Sequence, residues 1–413
     1  MNWEDFRRLD LSAAPTPIHI IDEVALKRNL EILADIQKRT GARVILALKA
    51  FAQFNTFTLI RNYLPGATAS SLSEARLAYE EFTDSGATGG EVHICAPAYS
   101  DGEFDDLLKY GDHIVFNSFS QWDRFRSRVQ NYNTRARTSG ARPIECGLRV
   151  NPEHSEGDVA LYDPCAPGSR LGTRLASFER RARETGAELE GVLEGLDGLH
   201  FHTLCEQGVE PLERTLAVVE KKFGRYLSKL RWINFGGGHH ITRSDYDVDR
   251  LCNLVIDFRR RNENIEVYIE PGEAVVLGTG VLVSRVLDIV PGAPGEFPSV
   301  ILDTSATAHM PDTLEMPYRA EILGAGEAGR FAHTYRLGGL TCLAGDVIGE
   351  YSFERELSCG EELIFLDMSH YTMVKNTCFN GVGLPAIATA NTRSGELKVA
   401  KVFGYEAYRD RLS

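Results

Sequence analysis

The runs GLHFHT (198–203), RWINF (231–235) and EVYIE (266–270) decide the fold. Each is short and rich in apolar residues, and helix-like segments at 212–229 and 246–262 separate them. Strands that alternate with helices pair in parallel, because each crossover helix returns the chain to the same edge of the sheet. This stretch therefore predicts two successive βαβ units.

Five further strand-like runs precede this stretch with the same alternation. They are VILALK (44–49), GATAS (66–70), VHICA (92–96), HIVFN (113–117) and CGLRV (146–150). Helix-like segments accompany them at 23–38, 72–82, 101–109, 119–129 and 177–188. Eight parallel strands are the number that closes a (β/α)8 TIM-type barrel, and a doubly wound open sheet is the alternative.

After about residue 275 the alternation gives way to strand-like runs alone. These runs lie at 280–290, 298–303, 319–323, 362–367 and 397–403, with glycine, proline and polar turns between them. The proline-bounded segment 12–22 has the same extended character. We therefore expect a barrel at 23–275 and a β-rich domain formed by 1–22 and 276–413.

Composition indicates an acidic globular protein. The chain has 413 residues, 43% hydrophobic and 25% charged, and 45 basic against 58 acidic residues give a net charge of -13. This charge argues against nucleic-acid or anionic-membrane partners and is compatible with a cationic small molecule. We expect no secretory signal and no membrane span, because the opening residues include acids and the apolar runs are strand-length. Eight cysteines without a CxxC pair predict reduced thiols in the cytoplasm.

Reactive side chains stand at the predicted C-terminal ends of the strands, where barrel enzymes carry their active sites. Lys49 closes the first strand and is either a desolvated amine nucleophile or an edge lysine that reaches solvent. Arg149 ends the fifth strand and serves either a site or a structural ion pair. His200 and His202 share a face of the sixth strand, as a metal pair, as imidazoles beside a planar cofactor, or as packed core histidines.

The seventh and eighth strands end in Gly236-Gly237-Gly238 and in Glu270. Three glycines let backbone N–H groups approach a phosphate, although a plain turn has the same composition. A buried carboxylate at Glu270 needs a partner, either a salt bridge or a protonated ring nitrogen. Together with the amine of Lys49, these groups match the needs of pyridoxal 5′-phosphate (PLP) and call for no metal.

Nine segments, in chain order, match motifs of a known family. They are TPIHIID (16–22), ALKAF (47–51), GLRVNPE (147–153), SRLG (169–172), HFHTLCEQ (200–207), FGGGHH (235–240), EPGE (270–273), GLTCLAGD (339–346) and SHYTMVKNTCFNG (369–381). Over nearly the whole chain they resemble the alanine-racemase-like, fold type III PLP-dependent decarboxylases of diaminopimelate, ornithine, arginine and carboxynorspermidine. HFHTLCEQ, DTSATAHMPDTLEMPYR (303–319) and FNGVGLP (379–385) are most similar to members that act on carboxynorspermidine or carboxyspermidine.

The resemblance implies a carboxy-lyase of polyamine biosynthesis with a carboxypolyamine substrate. It also implies a head-to-tail homodimer whose active sites lie at the interface. By motif position it suggests Lys49 as the Schiff-base lysine, His202 as the ring-stacking histidine, Arg149 beside the cofactor ring oxygen, Gly236, Gly237 and Gly238 as the phosphate loop, Glu270 as the pyridine partner, Tyr371 as a phosphate contact, and Cys342 of the other subunit as the group that protonates the product.

Two departures from the family pattern bear on the substrate. Ornithine and diaminopimelate enzymes usually carry Arg after EPG and an acid after the interface cysteine, whereas this chain has Glu273 and Leu343. The acid that meets a distal substrate amine must therefore come from elsewhere, and the candidates are Asp312, Glu315 and Asp346. Three alternatives stay open: a decarboxylase of diaminopimelate, ornithine or arginine, a metal-dependent hydrolase using His200 and His202, and a non-catalytic PLP-binding regulatory relative.

Overall fold

The computed structural model describes residues 3–12, 14–87, 89–157, 159–186 and 189–413. Its contacts divide the chain into two compact units, one of Asn29–Val275 and one of Met1–Arg28 with Val276–Ser413. Regular structure begins with a 3-10 helix (Trp3–Arg8), strand β1 (Ile18–Asp22) and helix α1 (Glu23–Thr40). The division passes through α1, whereas the boundary expected from the sequence precedes it. No helix in the described ranges is long and apolar enough to cross a membrane.

The unit Asn29–Val275 contains a closed barrel of parallel strands. The strands are β2 (Arg43–Val44), β3 (Leu46–Ala47), β4 (Gly66–Ala69), β5 (Glu91–Cys95), β6 (His113–Phe116), β7 (Glu145–Arg149), β8 (Gly198–His200), β9 (Trp232–Asn234) and β10 (Glu266–Ile269). β2 and β3 are halves of one strand interrupted at Ile45, whose N–H donates to the Ile269 carbonyl at 2.9 Å. Because β2 pairs with β10 and β3 with β4, the sheet closes and the predicted (β/α)8 barrel is confirmed.

Helices follow the strands around the barrel. They are α2 (Phe57–Ile60), α3 (Leu72–Leu77), α4 (Phe104–Tyr110), α5 (Phe119–Ser139), α6 (Leu175–Thr185), α7 (Leu189–Val192), α8 (Val209–Leu227), α9 (Val248–Arg261) and α10 (Glu273–Val276), with a 3-10 turn at Phe54–Thr56 and a π-helical turn at Ala78–Phe82. Ser71, Ser118 and Asp247 cap α3, α5 and α9 by accepting a backbone N–H from the first turn. Such caps satisfy N–H groups that the helix leaves unpaired, and they fix where each loop ends.

Aromatic rings fill the barrel floor, the end at which the strands begin. Trp232 and Tyr268 meet edge to face, with ring centroids 6.2 Å apart. A Cβ at Gly198 would lie 2.1 Å from a Trp232 ring carbon, and a Cβ at Gly147 would lie 2.3 Å from another. The two glycines therefore make room for one indole, and the floor is a packed core.

Glu91, His93 and His113 form one group close enough to hold a metal ion within the described part of the chain. The Glu91 carboxylate already pairs with Arg43 at 3.2 Å and Arg142 at 3.8 Å. The two imidazoles stack with centroids 4.0 Å apart and planes 13° from parallel. A metal must lie in the plane of each ligating ring, and stacked rings do not share a plane. We therefore assign this group to packing.

The second unit is built on one mixed sheet. Besides β1, its strands are β11 (Gly280–Val290), β12 (Ser299–Leu302), β13 (Gly326–Glu327), β14 (His333–Gly338), β15 (Val347–Phe353), β16 (Glu362–Leu366), β17 (Ala386–Asn391) and β18 (Glu396–Lys401). The order is β13-β15-β14-β12-β11-β1-β17-β18, and β16 pairs with β11. β1 lies between β11, antiparallel, and β17, parallel, so the extended N-terminal segment is a central strand.

Short helices complete the second unit. They are α11 (Ala306–His309), α12 (Asp312–Glu315), α13 (Glu406–Arg409) and a 3-10 turn at Phe379–Gly381. The expected strand at 319–323 is wrong, since this run makes an isolated bridge between Ile322 and Phe365. β14, β15 and β17 were not expected, because polar and small residues interrupt their apolar alternation and pairing with neighbouring strands defines them.

Gly198→Ala tests the packing of the barrel floor. We expect a loss of about 1–3 kcal/mol in the free energy of unfolding, because the new methyl group meets the rigid indole of Trp232. Urea unfolding followed by circular dichroism measures it. Gly224→Ala is the control, because a Cβ there meets nothing within 4 Å and lies in α8, where alanine favours the helix. Equal stability of the two variants would contradict the packing assignment.

Candidate active site

A cavity lies at the C-terminal ends of the barrel strands. It has about 420 Å³ of free space, part of it open to solvent. Its lining residues are Ala47, Lys49, Thr68, Ser70, Cys95, Arg149, His200, His202 and Glu270. Barrel closure thus brings together Lys49, Arg149, His202 and Glu270, which the sequence singled out on four different strands.

Lys49 projects into this cavity next to His202. The Lys49 Nζ atom lies 3.2 Å from His202 Nε2. The Gly237 N–H donates to His202 Nδ1 at 2.9 Å, so Nδ1 carries no proton and the neutral ring is protonated at Nε2. The Nε2 proton faces Lys49 Nζ, which accepts it only as an uncharged amine. These two hydrogen bonds therefore require an uncharged Lys49 beside a neutral His202.

Electrostatics favour the same protonation states. Burial, followed by the charge of Arg149, lowers the pKa of Lys49, and Glu270 only partly opposes this. Burial, followed by Lys49 and Arg149, lowers the pKa of His202 well below its usual value. Lys49 is exposed, because its side chain stands in a cavity that is partly open to solvent. The site therefore contains an amine suited to attack a carbonyl carbon.

Arg149 ends β7 and contributes the fixed positive charge. Its Nη2 donates to the carbonyl oxygen of His202 at 3.2 Å. This contact joins the end of β7 to the second residue after β8. Arg149 thereby holds the His202 backbone while its charge lowers the pKa values of Lys49 and His202.

Glu270 is a buried carboxylate that the surrounding residues keep ionised. Asn234 Nδ2 donates to Glu270 Oε1 at 2.7 Å, and His200 Nε2 lies 3.3 Å from Oε2. Burial alone raises the pKa of Glu270, but His200, followed by His93 and Asn234, outweighs it and lowers the pKa to about 2. Glu270 is therefore a fixed negative charge on the cavity wall at neutral pH.

Asn234 and Cys95 are among the residues of this site that sequence reasoning missed. Asn234 is the polar residue inside the apolar strand RWINF, and its Oδ1 also accepts the Gly236 N–H at 2.8 Å. Cys95 ends β5, and its Sγ lies 4.0 Å from His200 Nδ1. Both stand at C-terminal strand ends, which is the signal that could have identified them.

The three glycines after β9 pack against backbone. A Cβ would meet the Glu270 carbonyl oxygen at 2.1 Å from Gly237 and the Leu204 carbonyl oxygen at 1.9 Å from Gly238. Gly236 and Gly238 also have φ of 67° and 88°, which favours glycine. The N–H groups of Gly236 and Gly237 orient Asn234 and His202. The Gly238 N–H has no acceptor among the described residues and is available to an anion.

Glu273, the residue after Glu270-Pro271-Gly272, is the first residue of α10. Its Oε1 pairs with His240 Nε2 at 3.1 Å. The neighbouring His239 Nδ1 lies 2.6 Å from the Tyr246 hydroxyl. The two histidines after the glycines are thus engaged with neighbours within the barrel unit.

The remaining candidates belong to the second unit. Lys375 Nζ contacts Asp312 Oδ1 and lies 2.8 Å from Glu315 Oε2. One lysine does not balance two carboxylates, so the group keeps a net negative charge. Asp346 is buried and accepts from Ser305 Oγ at 2.9 Å and from Thr341 Oγ1 at 2.6 Å. The Asp346 oxygens are therefore occupied within the unit.

Cys342 and Tyr371 lie in loops of the second unit. Cys342 is exposed, and its backbone N–H donates to Asn380 Oδ1 at 2.9 Å. Tyr371 is half-buried with a φ of 49°, a conformation that residues other than glycine adopt infrequently. The Cys342 thiol is thus presented on a surface of its own unit, with its loop anchored by Asn380.

Comparisons with known proteins give concordant results. The family model described as "Pyridoxal-dependent decarboxylase, C-terminal sheet domain" matches residues 161–369. Carboxyaminopropylagmatine decarboxylase of Synechocystis is 44% identical over 97% of this chain and 96% of its own. Carboxynorspermidine/carboxyspermidine decarboxylase of Campylobacter jejuni is 40% identical over 95% of this chain and 97% of its own. The crystal structure of a C. jejuni carboxynorspermidine decarboxylase with norspermidine superimposes with a TM-score of 0.82 at 39% identity, covering 96% of this chain and 99% of that one.

The neutral state of Lys49 is testable by competitive acetylation of the cofactor-free protein. We expect Lys49 to react with acetic anhydride at lower pH than Lys221, an exposed lysine of α8, because burial and Arg149 disfavour its charged form. Peptide mass spectrometry across a pH series gives both midpoints. Arg149→Met should raise the Lys49 midpoint. Equal midpoints for Lys49 and Lys221 would refute the assignment.

Proposed function

The chain belongs to the family of pyridoxal-dependent decarboxylases, and from that premise we propose that it removes the carboxylate of a carboxypolyamine. The proposed substrates are carboxynorspermidine and carboxyspermidine, which lose CO₂ to give norspermidine and spermidine in polyamine biosynthesis. The observation that carries this proposal is the full-length similarity to a relative named for both substrates. The norspermidine complex of the similar structure adds support.

The barrel site fits PLP by the chemistry of its donor groups. The free amine of Lys49 would bind the cofactor carbonyl carbon, and the Gly238 N–H would take part in holding the phosphate. The ionised Glu270 would pair with the protonated ring nitrogen, and His202 would pack against the ring. When bound, PLP accepts the electron pair that departing CO₂ leaves on the substrate carbon.

The residues of the barrel prepare this chemistry before substrate arrives. His202 and Arg149 keep Lys49 uncharged, so that its amine can act as a nucleophile without first losing a proton to water. Asn234 and His200 keep Glu270 charged. Because these hydrogen bonds already exist in the protein, little reorganisation is needed during the reaction.

We propose that the second unit serves the barrel site of a second copy in a homodimer. Cys342 Sγ would supply the proton that replaces the lost carboxylate on the product carbon. Tyr371 would contact the cofactor phosphate. The net negative group of Asp312 and Glu315 would attract the distal ammonium of the substrate, whereas Asp346, with its oxygens occupied, would shape the loop. The exposure of Cys342 and the resemblance of its motif support this arrangement.

A second candidate substrate is carboxyaminopropylagmatine, because the Synechocystis relative named for it is similar over the full chain. The two kinds of substrate share a carboxylated aminopropyl group and differ at the distal end, which is a guanidinium in one and an ammonium in the other. Carboxylates recognise both cations, so only turnover separates these two substrates.

We also propose a cytoplasmic location. All eight cysteines are free thiols, which agrees with a reducing compartment.

A substrate panel tests the proposed reaction. We expect the PLP-loaded protein to release CO₂ from carboxynorspermidine and carboxyspermidine, with carboxyaminopropylagmatine, diaminopimelate, ornithine and arginine assayed in parallel by product-resolved chromatography. Lys49→Ala should lose at least roughly a thousandfold in rate, since it lacks the amine nucleophile. Turnover of another panel member alone would contradict the proposed substrate. No turnover of any of the six compounds would favour a non-catalytic, PLP-binding regulatory role.

Mixing two inactive variants tests the shared site. Lys49→Ala lacks the amine, and Cys342→Ala lacks the proposed proton donor. If each site combines residues of two copies, mixed dimers contain one intact site, and co-refolded variants should recover about a quarter of the original rate. Activity is measured before and after mixing. In the control, Lys49→Ala is mixed with Cys359→Ala, which alters another exposed cysteine. No gain on mixing the two inactive variants would contradict the shared site.

A further inference from the structure

The Glu270 carboxylate oxygen that Asn234 does not contact leads to two further groups, His200 and Cys95. His200 Nε2 lies 3.3 Å from Glu270 Oε2, and His200 Nδ1 lies 4.0 Å from Cys95 Sγ. His200 is 2% exposed and Glu270 is 9% exposed, so water has little access to either. The three side chains come from strands β5 and β8 and from the residue after β10.

The hydrogen-bond geometry limits where protons lie in this chain. An ionised carboxylate only accepts, so His200 Nε2 carries a proton and donates it to Glu270. His200 Nδ1 then either accepts the proton of the Cys95 thiol or, when protonated, donates to a Cys95 thiolate. In both cases one proton lies between Sγ and Nδ1, and the cysteine–histidine pair is neutral overall. The full negative charge of Glu270 therefore remains on the cavity wall.

We propose that Cys95 and His200 are positioning residues that act through Glu270 and preserve its charge toward the bound cofactor. The pair resists a second proton, because Nδ1 already shares the one that Cys95 supplies. If Cys95 is removed, a proton on His200 has no thiolate to balance it, and the imidazolium cancels the charge of Glu270. The pyridine nitrogen of PLP then loses its counter-charge. This inference rests on the proposed function in that PLP must be bound.

Other charged groups face the same cavity. Arg149 on β7 and Lys49 after β3 line it, as does His202 beyond β8. Arg149 acts on Cys95 in the direction that favours the thiolate, and His93 of the barrel floor acts on Glu270. These groups remain in every variant below, so a change in titration on altering Cys95 or His200 belongs to the pair.

The electrostatics agree with the geometry. Burial alone lowers the pKa of His200, but Cys95 and then Glu270 outweigh it and raise the pKa to about 9. Burial alone raises the pKa of the Cys95 thiol, but His200 outweighs it and lowers the pKa. The raised pKa of His200 and the lowered pKa of Cys95 both favour an imidazolium whose charge is balanced by a thiolate.

The test is a pH titration of the holoenzyme by two independent readouts. One is the visible absorbance of bound PLP without substrate, and the other is kcat for the substrate that the panel identifies. In Cys95→Ala we expect the acid limb of kcat and the absorbance midpoint to move together to higher pH, by about one unit. Below that limb kcat should fall roughly tenfold, while KM changes little.

Three further variants make the test decisive. Cys95→Ser keeps a proton donor to Nδ1, so its absorbance midpoint and acid limb should lie between those of the original protein and those of Cys95→Ala. His200→Gln can donate to Glu270 but does not titrate, so adding Cys95→Ala to this variant should move neither readout further. Cys146→Ala removes another barrel cysteine, buried on β7, and should behave like the original protein. Thermal melts show that each variant is folded.

Two results would overturn the inference: a Cys95→Ala titration that matches Cys146→Ala, or a shift on adding Cys95→Ala to His200→Gln that equals the shift in the original protein. A uniform loss of kcat at every pH, with an unmoved absorbance midpoint, would reduce Cys95 to a packing role. The absorbance readout needs no turnover. If no carboxypolyamine reacts and the midpoint still moves, the proposed substrate fails while the role of the pair stands.

Discussion

Glu270 ends the last strand of the barrel at a place where desolvation alone would protonate its carboxyl group. Two hydrogen-bond donors keep it ionised, the amide of Asn234 and the imidazole of His200. These residues end β9 and β8, so the charge exists only where three adjacent strands have the correct register. The barrel therefore supplies a fixed negative charge, and the rest of the cavity is arranged around it.

Small residues make this arrangement possible at both ends of the barrel. At the floor, Gly147 and Gly198 leave room for the indole of Trp232. At the opposite end, Gly237 and Gly238 let one loop lie against the backbone of its neighbours. The same close approach brings the Gly237 N–H to His202, which sets the tautomer that leaves Lys49 uncharged. Close packing of the glycine turn thus contributes to the protonation states at this site.

The three candidate acids of the second unit have different surroundings. Asp346 is buried in hydrogen bonds from Ser305 and Thr341, whereas Asp312 and Glu315 share Lys375 and keep a net negative charge. The sequence offered all three as equal candidates for substrate binding. It could not separate them, because the partners of Asp346 are 41 residues upstream at Ser305 as well as nearby at Thr341.

The sequence by itself determined the alternation of strands and helices, the glycine turn after β9, and the reactive residue types at the strand ends. Each of these is a local property of the chain, and periodicity and residue chemistry express it directly. Only the tertiary structure decided that Asn234 and Cys95 belong to the site and that Tyr335 pairs with Tyr351 across β14 and β15. The run 319–323 has the composition of a strand but makes an isolated bridge between Ile322 and Phe365. Contacts of this kind join distant segments, and no local pattern records which segments barrel closure and sheet pairing will bring together.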